Sequence, residues 1–197
     1  MAKKPVTTKT VGNGETAARP LWAPWRIEFI TGAKAADCFL CEKGSPAGGA
    51  DSVMDEGNHV IARGRHVYVL MNAFPYNSGH LMVAPYRHVG DLTDLNADEL
   101  AEMTVMTVEA EKVLKAAVFP HGFNIGYNLG AAGGAGVPGH IHCHIVPRWS
   151  GDTNFMPVLG NTRVVPQALE ETAALLRKTW AKLAKAGAVA SLAARRR

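Results

Sequence analysis

The sequence contains no long uninterrupted hydrophobic stretch. No apolar run approaches the roughly 18 residues that a membrane-spanning helix needs. The opening MAKKPVTTKT carries charged side chains but lacks the apolar centre of a secretory signal. We therefore expect a cytoplasmic protein with no membrane partner.

Cysteine is scarce as well. The chain has three cysteines, and so small a set does not form the disulfide framework of a small secreted domain. This scarcity indicates a reducing compartment.

The chain also lacks an excess of charge in its central part. The formal net charge is +4, but three lysines (Lys3, Lys4 and Lys9) and the three arginines at 195–197 contribute six positive charges. Without these six, the 21 basic residues fall to 15, against 17 acidic residues. A nearly neutral body offers no evident basic face, so we expect no nucleic-acid partner.

Apolar residues are abundant enough for a substantial core. They make up 47% of the 197 residues. Residues 1–20 are polar and aperiodic and are predicted to form a disordered arm. We predict one folded domain over residues 21–185 and a C-terminal tail over residues 186–197.

Four strands are predicted. HVYVLMN (66–72) and HLMVAP (80–85) are rich in β-forming residues, and AFPYNSG between them supplies turn residues. Residues 121–130 and 140–147 also have the alternation of strands.

Two main helices accompany these strands. Asn96, with Glu99 three residues later, predicts a helix start. Residues 161–186 predict a second helix with Pro166 in its first turn. Strands joined by short turns, together with two helices, indicate an α+β fold with an antiparallel sheet. The predicted apolar stripe of the first helix is Leu100, Met103, Ala110, Leu114 and Ala117.

The segment HIHCHIVPRW (140–149) places a histidine at every second position. Because side chains alternate along a strand, the histidines share one face and the apolar residues between them face a core. Three interpretations remain open: a polar sheet face, a metal site, or nucleophilic catalysis. The preceding glycine-rich AAGGAGVPG favours catalysis, since glycines let backbone N–H groups approach an anion closely.

These motifs resemble a known family. HIHCHIVPR resembles the signature of the histidine-triad (HIT) superfamily, and VYVLMNAFPYNSGHLMVAPYRHV resembles its N-terminal half-motif. PHGFNIGYNLG and VPRWSGDTNF resemble the branch that contains bacterial diadenosine tetraphosphate phosphorylases. The resemblance covers roughly residues 20–185, so it implies that the domain at 21–185 is a HIT domain. It also implies a HIT-like fold and a homodimer whose sheets join.

The resemblance implies a covalent mechanism on a nucleotide or dinucleoside polyphosphate. His142 would attack the α-phosphorus and form a nucleotidyl-histidine, with its second ring nitrogen held by a backbone carbonyl. His144 would contact the α-phosphate or the bridging oxygen. His140 completes the triad.

The resemblance also implies a set of nucleotide-binding residues. Asn72 would bind the ribose, Asn128 would approach the phosphate, and His80 would line the pocket. Backbone N–H groups of Gly134, Ala135, Gly136 and Val137 would bind phosphates. Many family members carry Gln-Ser or Gln-Thr in this loop, whereas GAGVP has no side-chain donor. A nucleotide-binding, sensor-like protein with little turnover therefore stays open as an alternative.

A second motif, CFLC, places Cys38 and Cys41 at C-x-x-C spacing. A redox pair, half of a zinc site and two buried thiols are all compatible with it. Resemblance to zinc-carrying HIT proteins and to galactose-1-phosphate uridylyltransferases implies that the metal ligands are Cys38, Cys41, His88 and His140. Such a closed Cys₂His₂ set would hold a structural zinc, and His140 would then be unavailable for proton transfer.

Overall fold

The computed structural model describes residues 38–45, 52–152 and 168–189. The predicted arm at 1–20, residues 190–197 of the predicted tail and Pro166 lie outside these residues. The helices are α1 (Phe39–Gly44), α2 (Ser52–Gly57), α3 (Ala97–Val118) and α4 (Leu169–Lys185), and a 3₁₀ turn spans Leu92–Asp94. The strands are β1 (Val60–Arg63), β2 (Val67–Met71), β3 (Leu81–Pro85), β4 (Gly122–Tyr127) and β5 (Cys143–Arg148).

The five strands form one sheet in the order β1-β2-β3-β5-β4. All four pairings are antiparallel, which confirms the predicted α+β class. β1, α1 and α2 are elements that the sequence patterns did not predict. Within the described residues, no helix combines the length and the apolar character that crossing a membrane requires.

The two faces of the sheet carry different layers. One face packs against α3 and α4, and its core includes Val69, Val83 and Ile145 from the strands with Leu114 and Trp180 from the helices. Burying a large apolar side chain contributes about 1.5–3 kcal/mol, so this layer supplies most of the stability.

The other face has a smaller cover. Tyr68 and Leu70 of β2 and Met82 and Ala84 of β3 pack there beneath Leu40 of α1. The Tyr68 hydroxyl donates to the Leu40 carbonyl at 2.6 Å. This contact fixes α1 over the centre of the sheet, beside the histidines.

The start of α3 confirms the sequence prediction in detail. The Asn96 side chain accepts from the Glu99 N–H at 2.9 Å, and the Glu99 carboxylate accepts from the Asn96 N–H at 3.0 Å. The predicted stripe is wrong at Leu100, which is 41% exposed. Glu99, one residue earlier, is buried instead, and its carboxylate pairs with Arg87 at 2.7 Å.

The alternation predicted a strand that begins at His140, but the ladder of β5 begins at Cys143. Pairing with β3 ends at Val83↔Cys143, because Pro85 lies two residues further along β3 and has no N–H to donate. The Ile141 N–H donates instead to the Val89 carbonyl at 2.7 Å. The histidines nevertheless keep the predicted alternation, with Ile141, Cys143 and Ile145 all in the main core.

Candidate functional site

The middle histidine has a defined proton position. His142 Nδ1 lies 2.9 Å from the carbonyl oxygen of His140. A carbonyl only accepts, so the Nδ1 proton is donated to it and the lone pair resides on Nε2. The side chain is 6% exposed and lines a pocket. This is the arrangement that a nucleophilic imidazole requires.

His144 is held through a second histidine that lies behind it. The Tyr76 N–H donates to His80 Nδ1 at 3.1 Å, and the Asn72 amide donates to the same nitrogen at 3.4 Å. His80 therefore carries its proton on Nε2 and donates it to His144 Nδ1 at 3.0 Å. The proton of neutral His144 is then on Nε2, where it can serve as a hydrogen-bond donor.

The predicted pocket residues Asn72, Asn128 and His80 differ in how they are placed relative to His142 and His144. Asn72 lies on the pocket wall, and its side-chain oxygen accepts from the Phe74 N–H at 2.9 Å. The Asn128 amide nitrogen lies 3.5 Å from His144 Nε2. His80 was expected to line the pocket, but it is fully buried and contacts the site through His144.

The glycine-rich loop uses some of its backbone N–H groups for hydrogen bonds within the loop. The N–H groups of Gly134 and Ala135 donate to carbonyls within the loop, those of Ala131 and Gly130, at 3.0 and 3.2 Å. Gly136 and Val137 line the pocket beside the histidines. Of the four predicted phosphate-binding residues, these two line the pocket.

The pocket beside the histidines has a mixed polar and apolar lining. Its volume is about 280 Å³, which suits a small molecule rather than a macromolecule. The lining residues are His142, His144, Gly136, Val137, Phe39, Lys43, Met71, Asn72, Ala73, Phe74 and Met82.

The four predicted metal ligands converge at one point. Their ligand atoms all lie within 4.8 Å of one another. His140 Nδ1 is 3.3 Å from Cys38 Sγ and 3.4 Å from Cys41 Sγ, and His88 Nδ1 is 3.2 Å from Cys41 Sγ. Bonds of 2.0–2.3 Å to a central zinc would place tetrahedral ligands about 3.3–3.8 Å apart.

The environment of His140 also fits a metal ligand. Its Nε2 lies 2.9 Å from the Pro85 carbonyl, so Nε2 donates its proton there and the Nδ1 lone pair faces the two cysteines. Metal-bound histidines usually donate their other N–H to such an acceptor. Burial lowers the pKa of His140, which favours the neutral form that binds metal. His142 and His144 take no part in this cluster.

Comparisons with known proteins agree with this geometry. The family model described as HIT domain matches residues 55–151. The AP-4-A phosphorylase of Mycobacterium tuberculosis is 42% identical over 164 residues, covering 82% of this chain and 84% of the relative. The chain belongs to the HIT family.

Other relatives of this HIT protein extend the comparison. The bis(5'-nucleosyl)-tetraphosphatase (asymmetrical) of Schizosaccharomyces pombe is 32% identical, covering 49% of this chain and 52% of the relative. A Zn-bound histidine triad family protein of Mycobacterium smegmatis superposes with a TM-score of 0.58 at 28% identity, covering 76% of this chain and 97% of the other. The names of the first two relatives denote enzymes, which confirms the prediction that this HIT protein is an enzyme.

One residue near the triad is structural. Arg148 donates to both carboxylate oxygens of Asp152, at 2.6 and 3.0 Å, and to the Asn124 side-chain oxygen at 2.6 Å. Asn77 also donates to Asp152, at 2.9 Å. These bonds tie the segment after β5 to β4 and to the β2–β3 turn, so Arg148 supports the HIT site from outside the pocket.

Two pocket residues escaped the sequence analysis. Phe39 and Lys43 lie on α1 and line the pocket, although the C-x-x-C segment drew attention only for its cysteines. Positions i and i+4 of a helix lie on one side, so the CFLCEK pattern could have suggested a shared face. Nothing in the pattern showed that this face meets the histidines.

Proposed function

We propose that this HIT enzyme acts on dinucleoside polyphosphates by nucleotidyl transfer through a covalent adduct on His142. The observation that carries the proposal is the 2.9 Å bond from His142 Nδ1 to the His140 carbonyl. It places the nucleophilic lone pair on Nε2, in a pocket of nucleotide size. The named activities of the two enzyme relatives support the substrate class.

In the first step, His142 Nε2 attacks the α-phosphorus. A P–N bond forms, and the bond from phosphorus to the bridging oxygen breaks. The leaving polyphosphate carries away the bonding electron pair as a new anionic oxygen. The Nδ1–H to carbonyl bond stabilises the positive charge that develops on the imidazole.

His144 acts on the leaving group. Because His80 accepts two N–H donors at Nδ1, the His144 Nε2–H is directed outward as a donor. A donor placed where negative charge develops stabilises the transition state more than the ground state. We assign this donor to the bridging oxygen.

In the second step, an oxygen of inorganic phosphate or of water attacks the same phosphorus. The P–N bond breaks and its electron pair returns to Nε2. Attack by phosphate on an adenylyl adduct yields ADP, and attack by water yields AMP. The AP-4-A phosphorylase relative favours phosphate as the acceptor.

We further propose that the cluster of two cysteines and two histidines binds a structural zinc. A set of four protein ligands leaves no open position for water activation. When bound, the ion cross-links α1, the segment after β3 and the approach to β5. The Zn-bound relative supports this assignment.

Incubation with diadenosine tetraphosphate, with and without phosphate, tests the reaction. We expect ADP and ATP in the presence of phosphate. Mass spectrometry of reactions quenched without an acceptor should find an adenylyl group on His142. Absence of turnover with this and with other adenylylated substrates would reject the proposal.

The alternative of a nucleotide sensor is favoured by one feature, the absence of a side-chain donor in the loop AAGGAGVPG. A sensor would bind AMP tightly in calorimetry while turning over no dinucleotide. Measurable turnover that requires His142 excludes it.

We also propose a homodimer formed through β4. This strand is one of the two edges of the sheet, and edge strands present unpaired backbone groups. Ile125 at its centre is 45% exposed. Light scattering should give twice the chain mass of 21.0 kDa, and Ile125→Lys should shift the population toward monomer. A monomer at all concentrations would refute the proposal.

A further inference from the structure

The helix that carries the cysteines also forms a wall of the nucleotide pocket. α1 is fixed at its C-terminal end, where Arg63 donates to the carbonyls of Gly44 and Lys43 at 3.0 and 2.9 Å. Leu40 is buried against the sheet. Phe39 and Lys43, four residues apart, are directed to the pocket.

Lys43 is a cation with incomplete hydrogen bonding. Its side chain is half-buried, and its ammonium donates to the Asn58 carbonyl at 3.4 Å. An ammonium has three donors, and this is the one hydrogen bond that the Lys43 ammonium makes within the described part of the chain. Two N–H groups therefore remain for a ligand.

The sheet order shows which part of a nucleotide Lys43 can reach. The register places Val60 of β1 level with His144 of β5, three strand spacings away. At about 4.8 Å per spacing, that separation is about 14 Å across the sheet. Asn58 precedes Val60 by two residues and His142 precedes His144 by two, and because β1 and β5 run in opposite directions, Asn58 and His142 are farther apart than this. A nucleotide whose α-phosphate is at His142 would direct its base toward β2 and α1. Lys43 therefore meets the base, while the phosphates stay near Gly136.

We propose that Lys43 determines base specificity by donating a hydrogen bond to a ring nitrogen of the nucleobase. The ring lies between apolar residues that include Phe39 and Met82, and the ammonium approaches its edge. This inference rests on the proposed function, because it uses the placement of the phosphate at His142. Replacing Lys43 changes the recognition of the base and leaves the reacting groups in place.

The test measures the binding of AMP and of its 1-deaza, 3-deaza and 7-deaza analogues by calorimetry. In the wild type, one analogue should bind about 10-fold more weakly than AMP, as expected for loss of a hydrogen bond to a charged group. In Lys43→Met, AMP itself should bind about 10-fold more weakly, and that analogue should bind as well as AMP. Ribose 5-phosphate should bind both proteins equally.

Lys112→Met is the matched control. Lys112 also donates to a backbone carbonyl, that of Ala188, at 3.2 Å, but it lies on α3 at the other face of the sheet. Its replacement should leave all affinities unchanged. Lys43→Arg keeps a donor and should recover part of the discrimination.

Three outcomes would overturn the proposal. If Lys43→Met keeps the analogue penalty, Lys43 does not contact the ring nitrogen. If it weakens ribose 5-phosphate as much as AMP, the contact is to phosphate. Both results leave the proposed reaction intact when the wild type still cleaves diadenosine tetraphosphate. If the wild type neither binds AMP nor cleaves the dinucleotide, both proposals fail together.

Discussion

The proposed metal cluster and the proposed nucleotide pocket use histidines that are two residues apart, and they use opposite ring nitrogens. His140 donates Nε2–H to the Pro85 carbonyl and turns Nδ1 toward two cysteines. His142 donates Nδ1–H to the His140 carbonyl and keeps its Nε2 lone pair for the pocket. In each case, a backbone carbonyl selects the nitrogen that remains for chemistry.

His144 extends the comparison because its partner is a side chain. It accepts a hydrogen bond at Nδ1 from His80, so it is a donor at Nε2, whereas His142 is an acceptor there. Three identical side chains on one segment thus present different ring nitrogens, which suit the proposed roles of a metal ligand, a nucleophile and a hydrogen-bond donor. The surrounding acceptors and donors, rather than the residue type, assign these roles.

The largest effect is expected from His142→Ala. Turnover of diadenosine tetraphosphate should fall by more than about 10³-fold, since loss of a covalent nucleophile removes the reaction path. The metal content should stay at one ion per chain. Steady-state kinetics and atomic emission measure the two quantities, and activity within about tenfold of wild type would contradict the assignment.

The double substitution Cys38→Ser/Cys41→Ser tests the metal site instead of the nucleophile. This protein should lose the metal and unfold more easily. A ligand at 1,000 times its dissociation constant contributes about 4 kcal/mol, and thermal unfolding with and without a chelator measures the loss.

Cys143→Ser is the control for that variant. Cys143 is buried in the main core and is not one of the four potential metal ligands. Its replacement should therefore leave the metal bound. Metal that persists in the double cysteine variant would instead indicate ligation by the triad histidines.

A smaller effect is expected from His80. His80→Leu removes the donor to His144 and should lower kcat by about 10²-fold with little change in KM. His80→Gln offers both an acceptor and a donor and should retain more activity. The ¹⁵N shifts of His144 report its tautomer, and a tautomer unchanged in His80→Leu would refute the role of His80.

The smallest effect is expected at the ion pair between Arg87, the residue before His88, and Glu99. The hydrogen bond from Arg87 lowers the pKa of Glu99 below its usual 4.5. The ion pair is therefore fully present above pH 4.5 and is lost as pH falls through the lowered value. Glu99→Gln should melt a few degrees below wild type at neutral pH, with unchanged kcat, and the difference should shrink under acid conditions. A constant difference across the pH range would show that the ion pair does not contribute.

Much of the fold was predictable because the deciding signals are local. Asn96 and Glu99 predicted the start of α3 since a capping box involves residues three apart. The failure at Leu100 shows the limit of periodicity, because Glu99 is buried in its place and pairs with Arg87, a contact that no apolar pattern encodes. β1 and α1 were missed because short elements carry little pattern of their own.

The candidate site was also predictable only in part. The triad and the C-x-x-C spacing could be recognised from the sequence. The position of His80 behind His144 could not, because the two residues are 64 apart in the chain and only the pairing of β3 with β5 brings them together. The contribution of Phe39 and Lys43 to the pocket depended in the same way on where α1 lies over the sheet.

The sequence by itself determined the alternation of histidines with core residues, which follows from strand periodicity, and its resemblance to zinc-carrying HIT proteins indicated the set of potential metal ligands. The tertiary structure alone decided which nitrogen of His140 and which nitrogen of His144 is available. That choice depends on groups from distant parts of the chain: the carbonyl of Pro85, 55 residues from His140, and the side chain of His80, 64 residues from His144. Long-range packing sets these contacts, and no local pattern encodes them.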